Sequence, residues 1–90
     1  MTHTKESNSM VIYKYALNIG ISTNIFLPVE AKPLLVAEQQ DRLYIWYQVD
    51  NTKHIEKITL EVYDTGSEFT KGEHQGSAII GNYVCHVFKV

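Results

Sequence analysis

The sequence predicts a mainly β domain, a small antiparallel sandwich or partly open barrel of about six or seven strands. Three observations support this. Short apolar runs rich in valine, isoleucine and tyrosine recur from Val11 to Val90, polar turn residues separate them at short intervals, and no stretch shows the spacing of an amphipathic helix.

The elements follow in order. Residues 1–10 are polar and are expected to form a tail, which leaves residues 11–90 as a single β domain. From Val11 to Leu17 the alternation puts Val11, Tyr13, Tyr15 and Leu17 on one face and points Lys14 the other way, which defines a first strand. Asn18 to Thr23 is turn-like. Asn24 to Leu27 is a short strand that Pro28 is expected to stop, because proline has no N–H to give to a ladder. Val29 to Pro33 is a connector.

Leu34 to Val49 consists of two apolar runs joined by a polar turn and is the central hairpin. Its second arm, Leu43 to Val49, holds the only tryptophan. That arm is expected to be the core strand, covered on both faces, with Trp46 inside. After a turn at Asp50 to Lys53, the strand His54 to Tyr63 alternates Ile58, Leu60 and Val62 with Lys57, Thr59 and Glu61, so one of its faces meets water. Asp64 to Gly76 is the longest polar stretch, carries Phe69, and is expected to be a long loop and the first place to look for a ligand lid. Ser77 to Gly81 is a brief strand and Tyr83 to Val90 a final one. The strands at the two ends are expected to pair with each other or across a subunit boundary.

Composition excludes several function classes. Eight basic against ten acidic residues give a net charge of −2, which supplies no general field to attract duplex nucleic acid or an anionic membrane. Cys85 is the only cysteine, so no intramolecular disulfide forms and a reducing cytoplasm fits. No run of about 18 apolar residues occurs, and residues 1–10 lack the apolar core of a signal peptide. A chain of 90 residues buries only roughly 60–65% of its unfolded surface, and six of its ten aromatic residues are tyrosine, a residue enriched at interfaces. A homodimer is therefore expected.

His3, His54, His74 and His86 show neither helical i, i+4 spacing nor a Cys-x-x-Cys partner, so no metal or other cofactor is expected. Cys85 and His86 are neighbours on a strand and point to opposite faces, which makes Cys85 a small buried apolar residue and turns His86 outward, toward Trp46 or a tyrosine. Arg42, the only arginine, stands near Tyr44 and Trp46, where a guanidinium can grip a phosphate or carboxylate with two hydrogen bonds while the rings stack on a base. The candidate ligand or partner residues are thus Arg42, Tyr44, Trp46, His86 and Phe69.

Asp64-Thr65-Gly66-Ser67 with Ile79-Ile80-Gly81-Asn82 resembles the two short signatures of retroviral-type aspartic proteases, which are homodimers. That resemblance implies paired Asp64 carboxylates, one per chain, activating water. The separation of the two segments is too short for the flap hairpin such enzymes carry between them, and Asp-Thr-Gly also simply ends a strand.

Ile12-Tyr13-Lys14-Tyr15, Leu27-Pro28 before Ala31-Lys32, Val36 with Gln39, Leu43-Tyr44-Ile45-Trp46, Thr65-Gly66, Ile80-Gly81 and His86-Val87-Phe88 occur in one order over Val11 to Val90. In this the chain resembles a family of short uncharacterised proteins of tailed bacteriophages. Members typically carry Gly-Thr-Gly where this chain has Asp64-Thr65-Gly66, and tryptophan at the position of Cys85, so the resemblance does not require Asp64. It implies a phage product acting in the host cell cytoplasm. The expected function is a non-enzymatic counter-defence protein that binds and sequesters a nucleotide immune signal or occludes a host immune protein. An interaction adaptor with no small ligand is the alternative, and a dimeric aspartic hydrolase using Asp64 a third. The expected partners are a second copy of the chain and a small anionic nucleotide or a host protein.

Overall fold

In the computed structural model, which describes residues 9–90, seven antiparallel strands form two sheets. The strands are β1 (Met10–Leu17), β2 (Thr23–Pro28), β3 (Lys32–Gln39), β4 (Arg42–Asp50), β5 (Ile55–Asp64), β6 (Glu73–Ile80) and β7 (Tyr83–Lys89). One sheet has the order β1-β4-β3 and the other β2-β5-β7-β6. This is the small sandwich that the alternation predicts, with no helix among the described residues. The expected tail, as far as residue 8, lies outside the described residues; its last position, Met10, already pairs with Asp50 as the start of β1.

The alternation sets which side chains are inside. Along β4, Leu43, Ile45, Tyr47 and Val49 are buried, and the antiparallel register sets them against Leu17, Tyr15, Tyr13 and Val11 of β1. From the other sheet Ile25, Leu27, Ile58, Leu60 and Val87 meet them in a single core. Two tyrosine hydroxyls tie the sheets together: Tyr15 donates to the Phe26 carbonyl at 2.9 Å and Tyr47 to Gln75 Oε1 at 2.6 Å. Each ring thereby fills the interior while its polar tip finds an acceptor, the condition for burying tyrosine.

The β3–β4 hairpin turns on Gln40 and Asp41, both at positive φ (54° and 64°), as a two-residue turn matching the strand twist requires. Where β6 approaches β3, Gly76 (φ 153°) lies against Val36 so closely that a Cβ there would stand 2.6 Å from Val36 Cγ2. Gly76 sits at a register shift in β6, where the missing side chain lets the sheets close.

Several expectations are corrected. Trp46 is not in the core: it is half-buried on the outer face of β4, which is not covered on both sides. With a side-chain period of two, the register that buries Leu43, Ile45 and Tyr47 must turn Trp46 out, and no alternative register keeps the aliphatic row inside. β2 does end at Pro28, but the proline is itself the strand's last residue, fully buried and paired with Ile55. The connector shortens because β3 begins at Lys32 and absorbs Pro33 ahead of a bulge. The long loop is residues 65–72 rather than 64–76, since β6 starts at Glu73, where Glu73 and His74 pair with Lys89 and Phe88. The end strands do not pair with each other. β1 is an edge of the three-stranded sheet, while β7 is an inner strand of the other, held there by the fully buried Val87.

Candidate functional site

Because every strand is buried on one side, the sandwich presents two outer faces, and they divide the expected site residues between them.

The three-stranded face is built from Ile12, Lys14 and Ala16 of β1, Arg42, Tyr44, Trp46 and Gln48 of β4, and Lys32, Leu35, Ala37 and Gln39 of β3, which the registers set side by side. Lys14 is paired with Trp46 across the strands, and its ammonium lies 4.2 Å from the Tyr44 ring centroid and 5.4 Å from that of Trp46. It also donates to Gln39 Oε1 at 2.7 Å. The two rings are tilted with centroids 6.1 Å apart. Lys14, Gln39, Gln40 and Tyr44 line an open depression beside them. Three cationic side chains, Lys14, Lys32 and Arg42, share this face, and among the described residues its outward strand positions hold one carboxylate, Asp50, at the end of β4 away from Arg42. In a chain of net charge −2 that is a local reversal of sign. At its rim, Ile12 (62% exposed) and Leu35 (54%) leave apolar surface in water.

The four-stranded face is made differently. Ser77, His86 and Tyr63 form one row across β6, β7 and β5, and His74, Phe88 and Glu61 the next. His86 Nδ1 is 2.7 Å from Ser77 Oγ and its Nε2 is 2.9 Å from Thr65 Oγ1. His74 Nε2 is 2.9 Å from Ser77 Oγ. Phe69 folds back from the 65–72 loop onto Tyr63 and Phe88, with centroids 5.2 and 4.4 Å away. The Tyr63 hydroxyl donates to Glu61, and this bond to a carboxylate pushes the phenol's pKa above its ordinary value.

Arg42, Tyr44 and Trp46 are therefore brought together as expected, while His86 and Phe69 belong to the opposite side of the molecule. His86 meets Thr65, Ser77 and its cross-strand neighbour Tyr63, not Trp46. Phe69 packs on its own sheet and closes no lid over Arg42. Sequence reasoning missed Lys14 as a site residue, although its parity already turned it away from Tyr13 and Tyr15. It also missed Ser77, His74 and Thr65, which only the β6–β7 register and the 65–72 loop bring to His86.

Cys85 is buried, as expected, and burial raises its pKa, with the nearby Asp64 carboxylate adding to the effect. Its thiol makes a long 3.9 Å contact with Asp64 Oδ1. A thiol held in its protonated form is a poor nucleophile. Among the described residues no group of three or more His, Cys, Asp or Glu side chains is arranged to hold a metal ion.

A family model described as a domain of unknown function (DUF7352) matches residues 9–90. Neither a curated protein nor a solved structure matches the chain.

Proposed function

The chain belongs to the DUF7352 family, and from that premise we propose that it is a non-enzymatic binding protein whose three-stranded face takes a small anionic nucleotide. The observation that carries this is the Tyr44–Trp46 pair with Lys14 over its rings and Arg42 on the same strand face, where among the described residues the outward positions beside the two rings hold no carboxylate. A base stacks on the ring surface that Lys14 leaves open, for roughly 1–3 kcal/mol, and the phosphates meet Lys14 and the two-pronged Arg42 guanidinium. The net charge of −2 does not oppose such a ligand, because only the local potential at the patch acts on it at close range. The likeness of the chain to short tailed-bacteriophage proteins supports a counter-defence role in the host cytoplasm, in which an immune nucleotide is held and not altered.

The test is calorimetric titration with cyclic dinucleotides and with ADP-ribose, followed by heat release of the bound ligand and its identification. Intact ligand and a loss of binding in Trp46→Ala and Arg42→Ala support the proposal. Recovery of an altered nucleotide overturns the non-enzymatic part, and binding that ignores both substitutions overturns the site. A second reading, occlusion of a host protein, draws on exposed Ile12 and Leu35 at the rim of the same face. A single stoichiometric host partner released by Leu35→Asp would favour it over the nucleotide. The proposal includes a two-fold dimer, supported by exposed Ile21, Phe26 and Ile79 away from the binding face; light scattering at the monomer mass of 10.3 kDa would contradict it.

A further inference from the structure

The four-stranded face carries a polar chain that the binding function does not use. Four side chains from three separate segments, the 65–72 loop, β6 and β7, are linked in the order His74, Ser77, His86, Thr65, with successive separations of 2.9, 2.7 and 2.9 Å. Thr65 Oγ1 also lies 3.4 Å from the Val84 carbonyl, which can only accept; in the arrangement where the threonine hydroxyl turns to that carbonyl, Thr65 Oγ1 accepts from His86 Nε2–H. A neutral His86 protonated on Nε2 has a free lone pair on Nδ1, and that lone pair accepts the Ser77 hydroxyl proton. Ser77 Oγ in turn accepts from His74 Nε2–H. The result is a hydroxyl hydrogen-bonded to an imidazole base, with the base oriented by a third group, the arrangement by which serine nucleophiles are activated. Ser77 is exposed, so a reactant can reach it. Next to it the His74 ring stands 5.3 Å from Phe88, which continues into Phe69 and Tyr63 as an aromatic tray.

We infer that Ser77 is an acyl-acceptor site, with His86 as its general base, for esters whose aryl leaving group docks on Phe88 and its aromatic neighbours. In the step, Ser77 Oγ attacks the ester carbonyl carbon while its proton moves to His86 Nδ1. The new Oγ–C bond forms, the bond from the acyl carbon to the aryl oxygen breaks, and the departing aryloxide takes the proton back from His86. An O-acyl serine and a free phenol are the products; nothing is oxidised or reduced. Thr65 is a positioning residue, because it touches His86 and not the ester.

The experiment incubates the whole protein with p-nitrophenyl acetate and maps the acetylated peptides by mass. In the unsubstituted chain, acetyl is expected on Ser77 at least tenfold faster than on any other hydroxyl side chain, with one equivalent of p-nitrophenol released per Ser77 acetylated. His86→Gln is expected to slow Ser77 labelling at least tenfold, and Thr65→Val to slow it less, with a shifted pH profile because the imidazole loses its fixed tautomer. Nucleotide binding on the other face is expected to be unchanged in both. A peptide map of the unsubstituted chain with acetyl on lysines and none on Ser77 would overturn the inference without recourse to any variant. So would Ser77 labelling that His86→Gln leaves at the parent rate.

Discussion

On the three-stranded face Lys14 reaches a single amide, that of Gln39, and Ile12, Leu35, Tyr44 and Trp46 stand half-covered or open to water. On the four-stranded face Thr65, Ser77, His74 and His86 satisfy one another, and a loop lays Phe69 over Phe88 and Tyr63. Both faces are outward sides of strands that bury the same kind of aliphatic row, so the core does not account for the contrast. What separates them is the connections. The hairpin joining β3 to β4 is a two-residue turn, too short to reach back, whereas the β5–β6 connection is long enough to return an aromatic to the sheet it left. An outer face whose connections stay clear remains available to a partner. One with a loop folded onto it is covered where that loop lies, here over Phe88 and Tyr63, while Ser77 beside it stays exposed and the polar groups are held where they can act on each other.

Both faces rest on a shared floor, and removing that floor gives the largest effect. Tyr47 is 1% exposed, touches Tyr15 edge-on, and bonds to Gln75 across the two sheets. Tyr47→Ala leaves a cavity and orphans that contact, at a cost of about 3–5 kcal/mol. In a domain this small the loss takes most of the stability, and both faces should go together in a urea melt. Survival of a cooperative transition near the parent midpoint would show that the sheets do not depend on this ring.

One residue earlier the expectation reverses. Trp46→Ala removes an outward ring, so the melting temperature should stay within a few degrees of the parent while nucleotide affinity drops about 5- to 150-fold, in line with roughly 1–3 kcal/mol for one stacked base. The pair of variants at 46 and 47 thus sets stability against binding along one strand. Phe69→Ala is the matching change on the other face. It strips the cover from Phe88 and Tyr63, should cost roughly 1–2 kcal/mol by loss of ring contacts and burial, and should leave nucleotide binding alone. A fall in binding on Phe69→Ala would mean that the faces are coupled.

The parity of each strand was legible in the sequence: Val11, Tyr13, Tyr15 and Leu17 point inward together, as do Ile58, Leu60 and Val62. The same rule, carried one step further, turns Trp46 outward. The expectation failed there because the bulk of the indole was given more weight than the period of two. Which strand lies beside which was not legible, since Ser77 and His86 belong to segments that alternate equally well in any pairing. Gly76 hid the extent of β6 for a local reason. A glycine and a histidine in a polar run have the composition of a loop, but here glycine is what lets β6 close on Val36. The site residues divided for the same cause: residue types suggested Arg42, Trp46, His86 and Phe69, and only sheet order separates them into two faces.

The smallest effect tests the hydroxyl that joins the two sheets. Tyr47→Phe keeps the ring and deletes the bond to Gln75, for about 1 kcal/mol at neutral pH. Burial, with the Glu73 carboxylate and Tyr15 adding to it, raises the Tyr47 pKa well above its ordinary value. The native state therefore keeps this proton at pH values where the unfolded chain has released it. Stability rises with pH only where the unfolded state binds more protons, and here it binds fewer, so the parent's Tyr47 contribution is complete below about pH 10 and is lost above it. The phenylalanine variant has no proton to hold at this position. Tyr15 and Tyr63, whose pKa values are also raised, titrate in both proteins and largely cancel in the comparison. The stability gap between parent and variant, measured from urea midpoints, should thus be steady up to about pH 9 and close as pH rises past 10. A gap that stays constant through pH 11 would mean that the Tyr47 hydroxyl ionises as readily inside the sandwich as outside it, and no gap at neutral pH would mean that the bond to Gln75 does not hold the sheets together.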